Sequence, residues 1–242
     1  MPDFSIIIPS YNEAENIPKL LACFADFMSN ENGELILVNN GSTDATAIME
    51  EEMKKQYPFL RWVHIEKNLG YGHGIYTGLT YAKGLYLGYT HADMQTDPKD
   101  IYRAIQVIKN IKNPDNIFVK GVRKRRNYVS LLFSKGLELI ASLILRKKLY
   151  EINAQPVIFS ANLFKDLDNA PLHWGFDLYV YYKARCLNYQ LKRIDVLFPK
   201  RKHGYSKWQT GFMPRLGFSY KMLKYCFELY THEKIRPQNK QH

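Results

Sequence analysis

Residues 4–8, Phe-Ser-Ile-Ile-Ile, open the chain with a nearly unbroken apolar run rich in β-branched residues, and that pattern predicts a buried strand. Residues 34–38, Glu-Leu-Ile-Leu-Val, and 61–65, Arg-Trp-Val-His-Ile, repeat it, and 85–89, Leu-Tyr-Leu-Gly-Tyr, predict a fourth strand. Between these runs the apolar positions spread to helical spacing. Helices are predicted over 16–28 with Pro18 in the first turn, over 42–56 behind a Ser42 cap, and over 71–82 with glycine punctuation. A further helix begins near Lys99, with Asp97 as its cap and Pro98 as its first residue. Strands alternating with such helices imply an α/β fold, a mostly parallel sheet with helices on both faces.

Ligands of such sheets bind beyond the carboxyl ends of the strands. Three polar clusters fall there: Pro-Ser-Tyr-Asn-Glu at 9–13, Asn-Asn-Gly-Ser-Thr-Asp at 39–44, and His-Ala-Asp-Met-Gln at 91–95. Each alone reads equally as turn and capping chemistry. Their placement at successive strand ends points to one site. In the last cluster His91, Asp93 and Gln95 alternate, so an extended backbone would put all three on one side. Such a set suits a divalent cation that keeps positions open for phosphate oxygens.

Composition narrows the setting. With 242 residues and 46% hydrophobic content the chain can bury a full core. Cys23, Cys186 and Cys226 lack metal-ligand spacing and are expected to be reduced thiols of a cytosolic protein. No basic leader precedes an apolar core at the N-terminus, so no signal peptide is expected. The apolar stretch at 131–145 is interrupted by Lys135 and Glu138, so no transmembrane helix is expected either. The net charge of +11 is unevenly spread: residues 1–118 hold 10 Lys+Arg against 15 Asp+Glu, and residues 119–242 hold 24 against 8. The second half is therefore expected to meet something anionic, whether nucleic acid, lipid headgroups or phosphorylated substrates.

The ordered motifs carry a resemblance. I-I-I-P-S-Y-N-E-A-E-N-I at 6–17, V-N-N-G-S-T-D at 38–44, K-N-L-G-Y-G at 67–72 and H-A-D at 91–93 resemble four motifs of inverting nucleotide-sugar glycosyltransferases of the GT-A fold. That large family includes dolichyl-phosphate mannose synthase and bacterial polysaccharide transferases. G-V-R at 121–123 resembles a strand-end G-S-R, and V-L-F-P-K-R-K-H-G-Y-S-K at 196–207 resembles a segment of the polyprenyl-phosphate branch. The likeness covers roughly residues 4–208 and implies a GT-A-like domain over 1–208, with 209–242 as a basic, aromatic helical extension.

The resemblance assigns roles residue by residue. Pro9, Tyr11, Glu13, Asn39, Asn40, Lys67 and Ala92 fall at nucleotide-contacting positions. Asp93 would bind a divalent metal, Mn2+ or Mg2+, with His91 and Gln95 beside it. Arg123 and Arg201 would face the diphosphate or an acceptor phosphate, and Asp177 would serve as base for a hydroxyl acceptor. Asn153 and Gln155 are further acceptor-side candidates.

His91 departs from the family's usual Asp. Three readings stay open: a shifted metal preference, a nucleotide contact in place of a metal contact, or weakened catalysis. The expected activity is inverting transfer of a sugar from a nucleotide diphosphate sugar to a polyprenyl phosphate. The alternatives are transfer to a growing cell-surface glycan and a catalytically impaired nucleotide-sugar-binding protein. The basic segments around 120–126, 146–148 and 212–227 are expected to meet an anionic membrane surface, which implies a cytoplasmic enzyme peripheral on the inner face of the membrane. Nucleic acid is not an expected partner.

Overall fold

The computed structural model describes residues 1–112, 114–124, 128–197 and 212–235. All four predicted strands form, as β1 (Phe4–Ser10), β2 (Gly33–Asn40), β3 (Leu60–Ile65) and β4 (Tyr86–Tyr89). Three more follow: β5 (Ile117–Lys124), β6 (Val157–Ser160) and β7 (Gln190–Leu197). The helices are α1 (Ile17–Met28), α2 (Glu50–Gln56), α3 (Tyr71–Tyr81), α4 (Lys99–Lys109), α5 (Tyr128–Leu145), α6 (Phe176–Cys186) and α7 (Phe212–Ile235).

The strands make one seven-stranded sheet in the order β3-β2-β1-β4-β6-β5-β7. β6 is antiparallel to both β4 and β5, while the other pairs are parallel. The side-chain period of two sorts β1 between the faces. Ile6 and Ile8 are fully buried in the cluster that holds Leu20, Leu21 and Phe24 of α1 and Ile101 and Ile105 of α4. Ile7 faces α3, where Gly78 is pressed against it and against Val38. Each such buried aliphatic side chain contributes about 1.5–3 kcal/mol.

One predicted helix is split. Instead of running over 42–56, the chain makes a 3-10 turn at Ala45–Ile48 before α2. Asp44, not Ser42, caps that turn, accepting from the Thr46 amide at 3.0 Å. Ser42 instead accepts from the Asn12 amide at 3.0 Å, so tertiary contact rather than helix capping uses its hydroxyl.

Two compact units divide the chain: residues 1–125 with 153–203, and residues 126–152 with 204–242. The first contains the sheet. In the second, α5 and α7 pack together, burying Ala141, Leu145, Met222 and Cys226. On α5, Leu132, Leu139 and Leu143 remain 63–69% exposed, and their spacing puts them on one stripe. No described helix is long and apolar enough to cross a membrane.

Candidate active site

β1 lies between β2 and β4, so successive strands are added on opposite sides of it and a crevice opens at their carboxyl ends. A cleft of about 210 Å3 occupies that position. Pro9, Ser10, Tyr11 and Glu13 line it from the end of β1, Asn40 from β2, and His91, Ala92 and Asp93 from the exit of β4. Asn68 and Tyr71 complete it at the start of α3.

Backbone-to-side-chain bonds hold the rim. The loops after β1 and β2 are laced together: Thr43 N donates to Asn12 Oδ1 at 2.8 Å, Glu13 N to Thr46 Oγ1 at 3.1 Å, and Ala14 N to Asp44 Oδ2 at 3.2 Å. Burial raises the Asp44 pKa, but its hydrogen bonds from Thr46 and Ala14 outweigh that and hold the carboxyl below its ordinary value. A carboxyl with a depressed folded-state pKa contributes stability above its unfolded value, and that contribution is lost as pH falls through the folded one. Asp44→Ala should therefore cost about 1 kcal/mol at neutral pH, the usual worth of such a cap. The gap between variant and wild type in denaturant melts should close as pH falls below about 4. A pH-independent gap would show that the charged bonds contribute nothing.

The two asparagines of the second motif separate. Asn39 turns back to accept from Ser42 N at 3.0 Å, closing the turn at Gly41, whose φ is +71°. Asn39 is absent from the cleft lining. Asn40 donates its Nδ2 to Gly70 O at 3.0 Å and Asn68 Oδ1 at 3.3 Å, which leaves Oδ1 as its unpartnered atom beside the cleft. In the third motif it is Asn68 that lines the cleft, while the Lys67 side chain is exposed and its backbone packs under Gly41.

The exit of β4 is not extended. Met94 has a φ of +55°, and the Gln95 amide turns back to donate to Asp93 Oδ1 at 3.1 Å. That bend breaks the alternation the sequence suggested: Asp93 and His91 line the cleft and buried Gln95 does not. Asp97 does cap α4, accepting from Lys99 N at 2.9 Å.

The predicted catalytic residues are dispersed. Asp177, in the first turn of α6, is 4% exposed and is not among the residues lining the cleft. Burial raises its pKa, and the charge of Lys120 pulls it back only in part. Gln155 Nε2 donates to Asp177 Oδ1 at 3.0 Å and to the Tyr71 hydroxyl at 2.9 Å. Lys120, fully buried, donates to Ala154 O at 2.9 Å and stands over the Tyr181 ring. Arg123 is at the end of β5, on the same edge of the sheet as Asp93, because the two antiparallel pairings through β6 cancel. With β6 between, β5 is two strands from β4, about 10 Å away, and Arg123 is absent from the cleft lining. Arg201 lies outside the described residues.

Three lining residues escaped the sequence reading: Ser10, Asn68 and Tyr71. Asn68 and Tyr71 stand in the glycine-rich motif, and the signal was the close approach its glycines permit. Gly70 has a φ of +119°, and a Cβ on Gly72 would meet Pro171 O at 2.5 Å, so the turn into α3 packs on the 171–173 backbone. His73 N donates to Leu172 O at 2.8 Å in the same contact.

As a donor set, Asp93 and His91 offer a carboxylate oxygen and an imidazole nitrogen. Among the described residues no group of three or more His, Cys, Asp or Glu could hold a metal. The pair therefore fits a divalent ion completed by a ligand's own oxygens, and does not fit a preformed all-protein centre.

Comparison with known proteins bears on the family and the fold. The family described as Glycosyl transferase family 2 matches residues 5–169. Dolichol-phosphate mannosyltransferase of Pyrococcus furiosus is 29% identical over 146 residues, 59% of this chain and 41% of that protein. Dolichyl-phosphate beta-glucosyltransferase of Dictyostelium discoideum is 23% identical over 213 residues, covering 79% and 65%. Dodecaprenyl-phosphate galacturonate synthase of Rhizobium johnstonii is 26% identical over 171 residues, covering 68% and 50%. The chain thus spans between about two fifths and two thirds of these relatives' lengths. The fold is that of a Pyrobaculum calidifontis mannosyltransferase solved with GDP-Man and Mn2+, with a TM-score of 0.64 at 18% identity over 96% of this chain and 73% of that one. It is also that of glucosyl-3-phosphoglycerate synthase from Mycobacterium tuberculosis solved with Mn2+, UDP and glucosyl-3-phosphoglycerate, with a TM-score of 0.70 at 17% identity over 98% and 82%. The α/β architecture is thus the GT-A fold, and with the match running over most of its length the chain belongs to glycosyl transferase family 2.

Proposed function

We propose that the cleft binds a nucleotide diphosphate sugar together with a divalent cation and transfers the sugar, with inversion, to a polyprenyl phosphate. The observation that carries the acceptor class is the burial of Asp177. A sugar hydroxyl needs a base within hydrogen-bond reach, whereas a phosphate acceptor arrives already anionic. The carboxylates in the cleft wall are Glu13 and Asp93. Glu13 accepts from Asn16 at 2.6 Å, and Asp93 is the cation's ligand in this reading. The names of the three curated relatives, each with a dolichyl or dodecaprenyl phosphate, support the same acceptor class.

The cation follows from charge. Among the described residues no Lys or Arg lines the cleft. A diphosphate oxygen about 4 Å from either carboxylate would be repelled by about 4 kcal/mol at the effective dielectric of a protein surface. Asp93 and His91 would hold an ion that reverses this sign, and the ion would act as a Lewis acid on the departing diphosphate. Asn40 and Tyr11 would then contact the nucleoside, and Arg123 and Arg201 the phosphates of the donor or acceptor. An imidazole ligand favours Mn2+ over Mg2+. The solved relatives with bound Mn2+ or Mg2+ support a divalent requirement.

The second unit supplies the membrane side of this reading. The exposed stripe of Leu132, Leu139 and Leu143 would enter the headgroup region while exposed Lys135, Arg146, Lys221 and Lys224 meet anionic lipid. The whole reading is tested by incubating the protein with UDP-, GDP- and dTDP-sugars, Mn2+ and a polyprenyl phosphate, and analysing the lipid fraction for a sugar-phosphate-polyprenyl product. The expected result is that product from one donor. Transfer only onto a glycan acceptor would overturn the acceptor assignment, and nucleotide-sugar binding without turnover under every divalent metal would mark an impaired enzyme.

A further inference from the structure

A chain of contacts links two residues of the cleft wall, His91 and Tyr71, to the buried side chains of Gln155 and Asp177. Gln155 is 1% exposed and has two amide protons, and both are committed: one to Asp177 Oδ1 at 3.0 Å and one to the Tyr71 hydroxyl at 2.9 Å. The Tyr71 ring is stacked on His91, with centroids 5.5 Å apart and planes 28° apart. At its backbone end Tyr71 follows Gly70, whose amide donates to Asn68 Oδ1 at 2.9 Å. The phenol is thus held at both ends, and its face is set against the imidazole.

We propose that Asp177 is a positioning residue that fixes the His91 ring over the cleft through Gln155 and Tyr71. His91 lies in irregular backbone between β4 and the bend at 92–96, with no regular element of its own to restrict its ring. A stacked, anchored neighbour removes that freedom, as groups behind a ligating histidine orient its ring. Asp177 is kept in place from the other side by the buried ammonium of Lys120, whose charge opposes its own. Gly121, beside Lys120 on β5, is packed directly on the Gln155 backbone carbonyl and donates its amide to Pro156 O at 3.0 Å. β5 therefore positions Gln155, Gln155 positions Tyr71, and Tyr71 positions His91. This assigns Asp177 a role other than proton acceptor, and it rests on the reading of His91 as a group facing the donor's diphosphate and its cation.

The test is a carbon–proton correlation spectrum of the histidine ring Cε1–Hε1 groups in the full chain without nucleotide, with the His91 signal identified by its loss in His91→Gln. In the wild type the signal should be displaced upfield by the Tyr71 ring. In Gln155→Leu and in Asp177→Asn it should move back toward the position of a free histidine. The Mn2+ concentration that half-saturates nucleotide-sugar binding should rise about tenfold in both. Should the buried replacements fail to fold, Tyr71→Phe, which keeps the ring and removes only the hydroxyl, should move the signal in the same direction. An unmoved His91 signal in the folded variants, or an Asp177→Asn protein that loses turnover while its His91 signal stays in place, would overturn the proposal. Absence of nucleotide-sugar binding in the wild type would instead overturn the donor-site reading, because the ring signal is measured without any ligand.

Discussion

Asp93→Ala should abolish the metal-dependent part of nucleotide-sugar binding. Among the described residues Asp93 is the sole carboxylate on the β4 side of the cleft wall, 9% exposed, and its Oδ1 is hydrogen-bonded to the Gln95 amide at 3.1 Å. In the proposed site alanine would remove the anionic member of the Asp93–His91 donor pair, and a lone imidazole would hold a divalent ion weakly against water. A cation that stabilises the leaving diphosphate contributes about 4 kcal/mol, so turnover should fall roughly a thousandfold. The binding effect is read as a thermal shift, because a ligand bound only by the folded state raises its stability. Wild type should show a larger shift with nucleotide sugar and Mn2+ than with Mg2+, and Asp93→Ala should show none beyond the metal-free value. Retention of the full Mn2+-dependent shift would remove Asp93 from the metal site.

Gly121→Ala should be the most destabilising single methyl addition in the sheet. A Cβ built there falls inside the van der Waals surface of the Gln155 carbonyl oxygen, and its next contacts are the Gln155 carbonyl carbon at 2.8 Å and Pro156 N at 3.3 Å. These are backbone atoms of the strand-entry segment, so no rotamer change relieves the clash. β5 and β6 both lie inside the sheet, with β7 at its edge, and Gly121 N must keep its bond to Pro156 O. Overpacking of this kind costs about 3 kcal/mol. Chemical denaturation should show a lower midpoint at unchanged slope, and an unchanged midpoint would mean that the β5–β6 contact is looser than its geometry. The same displacement should carry Gln155 away from Tyr71, so the variant couples a stability loss to the His91 signal.

The strand runs were readable because a buried strand declares itself locally. Residues 4–8, 34–38, 61–65 and 85–89 each coincide with a strand to within one or two residues at either end. Strand order was not written in any of these runs, since the pairing of β4 with antiparallel β6 depends on a segment seventy residues downstream. The helix expected over 42–56 failed for a related reason. Ser42 is a good cap in isolation, but the β1 loop recruits its hydroxyl, and Asp44 takes the capping role while its other carboxylate oxygen accepts from the Ala14 amide at 3.2 Å.

The site divides along the same line. Residue types and their placement at strand ends sufficed to bring Pro9, Tyr11, Glu13, Asn40, His91, Ala92 and Asp93 to one cleft, because a parallel sheet gathers the carboxyl ends of its strands whatever the loops do. Alternation misplaced Gln95, because a single positive φ at Met94 reverses the side on which the next residue falls. Which of Asn39 and Asn40 faces the cleft was decided by competition for hydrogen bonds between loops. Asp177 does stand at the head of a helix, and packing buries it with Gln155 and Lys120 and leaves it out of the cleft lining. The chain's local chemistry thus determined the fold class, the motif set and the location of the cleft, since those depend on short-range pattern and strand polarity. Which side chains enter the cleft, and which support it from below, was set by tertiary contacts, since a side chain's direction depends on bends and partners distant in sequence.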